Sequence, residues 1–153
     1  MHAAELIKHF AVAHCEDILS SHRNPYDVLA IGYGHTRGAM EGQTITQAQA
    51  DDILASDIDL IEKELHGLLF PAIRREMNAN QTAAIVSFAH SLGMHIFKQT
   101  CVLARLNTRR YCDVPAELSK WDSTGTRPLR ILARRRLSEG NLFCSFPNWL
   151  VTK

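Results

Sequence analysis

The stretch Val28-Leu29-Ala30-Ile31-Gly32-Tyr33-Gly34-His35 decides how this chain reads. Four apolar residues run straight into two glycines flanking a tyrosine, so a strand is interrupted almost as soon as it starts. Such a pattern predicts a short, bent β-hairpin. Gly38 and Gly42 extend the glycine-rich region. On its N-terminal side, Ser20-Ser21-His22-Arg23-Asn24-Pro25-Tyr26-Asp27 reads as a turn. Before that, Leu6, Ile7, Phe10, Ala13 and Ile18 recur near a helical period and predict a helix over residues 4–20.

On the C-terminal side the pattern becomes helical. Thr46 with Gln49 three residues later forms a capping-box sequence. Ile53, Leu54, Ile58, Ile61, Leu65 and Leu68 then make one apolar stripe that ends before Pro71. A helix of about 20 residues spans about 30 Å, enough to join a small N-terminal lobe to a larger one. Further helices are expected from Asn80 to a stop at Gly93, from Phe97 to Leu106, from Pro115 past Trp121, and from Pro128 to a stop at Gly140. The expected class is α+β, mainly α, with the β lobe near residues 23–45.

Composition narrows the function. A chain of 153 residues, 46% hydrophobic and 22% charged, suits one compact domain or two small lobes and excludes disordered, collagen-like and low-complexity architectures. It contains no run of about 20 nearly uncharged apolar residues that would cross a membrane. Residues Met1 to Phe10 lack the continuous apolar core of a signal peptide. The chain is therefore expected to be cytoplasmic as synthesised, reaching a periplasm or cell wall only if released. Residues 1–104 carry 7 basic against 12 acidic residues, and residues 105–153 carry 10 against 4, so the net charge of +1 conceals a polarity of −5 and +6. That polarity would suit an anionic polymer or, more simply, a solvated basic helix face. Cys15, Cys101, Cys112 and Cys144 lack C-x-x-C spacing and read as free thiols. His90 and His95 point to different helix faces, so neither a metal nor any other cofactor is expected.

Ile31-Gly-Tyr-Gly-His-Thr36, taken with its surroundings, resembles the phage-type lysozymes, the endolysins of glycoside hydrolase family 24. The resemblance extends from Leu6-Ile-Lys-His-Phe10 through Arg23-Asn-Pro25, Gly42-Gln-Thr-Ile-Thr-Gln-Ala-Gln-Ala50 and Asn80-Gln81. It continues with Val86-Ser-Phe-Ala-His-Ser-Leu-Gly93, Leu103-Ala-Arg-Leu-Asn107, Trp121 and Arg134-Arg-Arg-Leu-Ser-Glu139, ending at Phe143. It implies one lysozyme-like domain over residues 1–153 with two lobes, residues 15–50 and residues 1–14 plus 66–153, joined by a helix over 47–66. It also implies that the cleft between the lobes binds peptidoglycan glycan strands and cleaves between N-acetylmuramic acid and N-acetylglucosamine.

The family's catalytic pattern is a Glu at the end of the first helix, an Asp nine residues on and a Thr six residues further. Counted back from Ile31, those positions hold Cys15, Asn24 and Ala30. Counted forward from Phe10, the Glu position falls on Ala11 or Val12 instead, one helical turn from Cys15. Glycoside cleavage needs an acid for the leaving oxygen and a second group to activate water or stabilise an oxocarbenium-like transition state. None of Ala11, Cys15, Asn24 or Ala30 supplies either. The expectation is a lysozyme-like, monomeric protein with little or no hydrolase activity, binding peptidoglycan glycan strands or a protein partner. Its arginines at 127, 130, 134, 135 and 136 would face an anionic partner; they come with no nucleic-acid motif.

Other readings stand beside this one. Glu16 is the nearest carboxylate that could serve as a surrogate acid in an active muramidase, with Asp17 or Asp27 as the second group. Cys15 could be a nucleophile with His22 or His35 as base, although His35 belongs to the Gly-Tyr-Gly-His string and reads as structural.

Overall fold

A small antiparallel hairpin forms just before the glycines rather than through them, and the glycine loop itself holds only a single bridge between Ile31 and His35. In the computed structural model, which describes residues 2–125 and 128–145, the elements run α1 (Ala3–His14), β1 (His22–Arg23), β2 (Leu29–Ala30), α2 (Gln47–Leu68), α3 (Pro71–Glu76) and α4 (Ala79–Leu92). Then follow α5 (Met94–Phe97), α6 (Cys101–Asn107), a 3-10 turn (Tyr111–Asp113), α7 (Val114–Ser119) and α8 (Arg130–Cys144). The architecture is α+β and mainly helical, a small hairpin lobe joined by the long α2 to a helical lobe.

His22 pairs with Ala30 and Arg23 with Leu29. Asn24 closes the turn between them. Its amide donates to the Val28 carbonyl at 2.9 Å, and its side-chain oxygen accepts from the amides of Tyr26 and Val28 at 2.9 and 3.0 Å. Asn is suited to such a turn because its short side chain can stand in for a backbone acceptor. Past β2, Ile31 and His35 exchange two backbone hydrogen bonds around Gly32-Tyr33-Gly34, with φ of +62° and +104° at the glycines. Side chains rarely adopt that backbone, so the two glycines are what permit the bend. His35 then ties the loop down. Its Nδ1 lies 2.9 Å from the Asp57 carboxylate on α2, and its Nε2 lies 2.7 Å from the Arg37 carbonyl.

The capping box at the start of α2 is complete. Thr46 Oγ1 accepts from the Gln49 amide at 3.2 Å, and Gln49 Oε1 accepts from the Thr46 amide at 2.8 Å. Helix α2 belongs to two cores: Ala50 and Leu54 pack with Ile7, Ile18 and Tyr33, while Ile61 and Leu65 join the larger cluster of the helical lobe. At the centre of that lobe is α4, buried continuously from Ala83 to Ala89 and packed against α1, α2 and α8.

Several boundaries depart from the sequence expectation. Helix α1 ends at His14 rather than near residue 20; Cys15 is extended, and Ile18 reaches the small core from a turn. His22 and Arg23 are strand rather than turn. The cap of α4 is Asn78, whose Oδ1 accepts from the Gln81 amide at 2.9 Å, while Asn80 lies inside the helix and donates to Ser145 Oγ. The helix expected over 97–106 is two, broken at residues 98–100. Gly140 does not end α8: the helix continues to Cys144, with Pro115 of α7 packed beside the glycine.

Candidate functional site

Between the hairpin lobe and the ends of α4 and α8 lies a groove of about 230 Å³. Helix α1 contributes Phe10, Ala11 and His14, and the hairpin contributes His22, Asn24, Tyr26 and Val28. Tyr33, Gly34 and Thr36 come from the glycine loop, His90 and Ser91 from the end of α4, and Ile131 and Arg135 from α8. A second, shallower groove shares Gly34, Thr36, His90 and Gly93 with the first and continues past His35, Asp57 and Glu64.

The structure brings together only some of the residues singled out in the sequence. Ala11 and Asn24 both line the main groove. Cys15 does not: it follows the last residue of α1, and its thiol donates to the Asp17 carbonyl at 3.4 Å. Cys15 therefore does not share a helix face with Ala11. Ala30 is fully buried behind the groove, on β2 opposite His22. Glu16, Asp17 and Asp27 are all exposed, and none lines either groove. The Ser20 hydroxyl beside Asp17 holds that carboxyl below the usual carboxylate range, with the Leu19 and Ser20 amides acting the same way. Asp27 sits at φ +60° in the hairpin turn. Neither proposed base contacts Cys15: His22 Nδ1 is 3.0 Å from the Ser20 carbonyl, and His35 is held by Asp57 and Arg37. All four cysteines are unpaired.

Sequence reasoning missed the groove's electrostatic character. Among the described residues, no Asp or Glu lines the main groove; its ionisable groups are His14, His22, His90, Arg135 and two tyrosines. Burial lowers the His90 pKa to about 3, with Arg135 and His35 pushing the same way, so this imidazole is neutral at ordinary pH. His14 Nε2 lies 2.9 Å from the Arg23 carbonyl, which fixes that ring against the hairpin. Arg135 is anchored from behind: its Nε donates to Glu139 at 3.1 Å, and its Nη2 donates to the Ser87 carbonyl at 2.9 Å.

The neighbouring Arg136 was expected to face a partner, but it is 1% exposed, with its guanidinium 4.7 Å from the centre of the Phe88 ring. Its Nε is 3.2 Å from Glu139 Oε2, close but misaligned for a hydrogen bond. Arg130 and Arg134 are exposed; Arg127 lies outside the described residues.

An oxocarbenium-like transition state develops positive charge, which a nearby carboxylate stabilises and a guanidinium opposes. The main groove offers no carboxylate for that role among the described residues. It can still present hydrogen-bond donors and apolar walls to a sugar strand. Among the described residues, no group of three or more His, Cys, Asp or Glu side chains is placed to hold a metal ion, and no helix is long and apolar enough to cross a membrane.

Comparison with known proteins agrees with the fold. The phage lysozyme family model matches residues 16–139, a stretch that includes Asn24 and Ala30 and begins just after α1. The chain is 37% identical over 117 residues to the endolysin of Acyrthosiphon pisum secondary endosymbiont phage 1, covering 74% of this chain and 77% of that protein. It is 29% identical over 132 residues to the endolysin of Salmonella phage P22, covering 83% and 87% respectively. Among solved structures, the muramidase domain of SpmX from Asticaccaulis excentricus superposes with a TM-score of 0.77 at 32% identity, over 94% of this chain and 95% of that one. From sequence, local geometry and overall shape alike, the chain belongs to the phage lysozyme family.

Proposed function

We propose that this protein binds the glycan strands of peptidoglycan in the groove between its lobes and cleaves them slowly or not at all. One observation carries the reading: no carboxylate lines the groove among the described residues, while Ala11 and Asn24 stand on its walls and Ala30 lies buried behind it. On this reading Ala11, rather than Cys15, holds the place of the family's first-helix acid. A positioned acid is worth roughly 10²–10⁴-fold in rate, so its loss alone removes most hydrolysis. Ground-state binding need not suffer, because sugar hydroxyls can bond to groups that take no part in the chemistry.

Sedimentation with insoluble, purified peptidoglycan tests the binding half of this reading. The protein is expected in the pellet, and Ala11→Glu with Asn24→Asp and Ala30→Thr is expected to convert part of that binding into release of reducing sugar. A protein that stays in the supernatant at low salt, together with an inert triple variant, would replace the glycan reading with that of a protein-binding module.

A further inference from the structure

The charge of the groove says more about its ligand. Glu139 is fully buried and lies against two guanidinium groups, those of Arg135 and Arg136, so this cluster carries one net positive charge. Arg136 is sealed in the core, and only Arg135 reaches the groove. Its Nε and Nη2 are spent on Glu139 and Ser87, whereas its Nη1 makes no hydrogen bond among the described residues. The side chain is 11% exposed, so little solvent compensates that charge. Ala11 lines the same groove and offers no counter-charge.

A partly desolvated guanidinium that shares its one carboxylate with a second arginine still gains from an anionic oxygen, through hydrogen bonds stronger than neutral ones. We infer that the groove is a carboxylate receptor, with Arg135 Nη1 as the donor, in the space opened by alanine at position 11. The inference rests on the glycan-binding reading above and assigns the carboxylate to the peptide stems of peptidoglycan, since the sugar backbone's hydroxyls and amides are uncharged. The groove would therefore select strands that carry free stem carboxylates over strands in which they are amidated.

Calorimetric titration of the full chain with a disaccharide-tetrapeptide, its carboxylates either free or amidated, tests this directly. The free acid is expected to bind at least about tenfold more tightly at low salt, the scale of one charge-assisted hydrogen bond. The advantage should shrink in about 0.5 M salt, where charges are screened within a few ångströms. Ala11→Glu supplies an internal carboxylate and should erase the preference, whereas the uncharged Ala11→Gln should keep it, whatever either costs in absolute affinity. Equal affinities for the two ligands, or identical behaviour of the two variants, would overturn the carboxylate site and leave glycan binding standing. If neither ligand binds, the glycan reading falls with it. An acidic hexapeptide that binds where both disaccharides fail would overturn the wall as the source of the carboxylate.

Discussion

At the scale of single residues, the stability of this protein turns on Glu139. It is the shared counter-ion of Arg135 and Arg136, and it also accepts from Ser87 Oγ at 2.7 Å. Removing one partner from a buried ion cluster strands the other charges, so Glu139→Gln should cost about 3–5 kcal/mol in urea unfolding. Exposed Arg134→Gln should cost less than about 0.5 kcal/mol. Similar losses in both variants would contradict the buried cluster. His90 makes a second residue-scale expectation. Its folded pKa is about 3 against an ordinary value of 6.5, so below pH 6.5 the unfolded chain takes up a proton that the folded chain refuses. Stability from this group is therefore lost as pH falls from about 6.5 towards 3. Between pH 6.5 and 5, before the carboxyls titrate, His90→Gln should flatten the dependence of Tm on pH; an unchanged slope would show that His90 charges freely in the folded protein. Neither environment was legible in the sequence. The string Arg134-Arg-Arg136 reads as solvated charge, and only the packing of α8 on α4 reveals that Arg136 faces Phe88 while Arg135 turns to the groove.

At the scale of elements, what the sequence predicted well is what local chemistry controls. The capping box of α2 depends on two residues three apart, and the loop at 31–35 depends on two glycines at positive φ, a backbone that glycine adopts without steric cost. Thr46→Ala should accordingly cost about 1 kcal/mol and lower Tm by roughly 2–4 °C. No change in Tm would mean that packing of the apolar stripe alone holds the start of α2. Elements whose limits are set by tertiary contact were misread. Ile18 continues the helical period of α1, yet the chain leaves the helix after His14 and buries Ile18 from a turn. Gly140 carries a stop signal but sits inside α8, packed beside Pro115. The division of the first-helix site position between Ala11 and Cys15 has another origin: counts back from Ile31 and forward from Phe10 differ by about one helical turn.

At the scale of the whole molecule, the fold was largely readable because its signals are ordered along the chain: hairpin, capped long helix, then short helices. The groove was half readable. Missing acidic residues can be counted from a sequence, and so can eight histidines, but the convergence of His14, His22, His90 and Arg135 on one groove follows only from how the lobes meet. On the proposed function, a phage lysozyme scaffold here has lost the chemistry of cleavage while keeping the groove. The most direct test is reducing-end release from purified peptidoglycan by the unmodified protein, run at equal concentration beside the Salmonella phage P22 endolysin. Loss of the acid predicts a rate at least about 100-fold lower than that relative; a rate within about tenfold of it would contradict the claim.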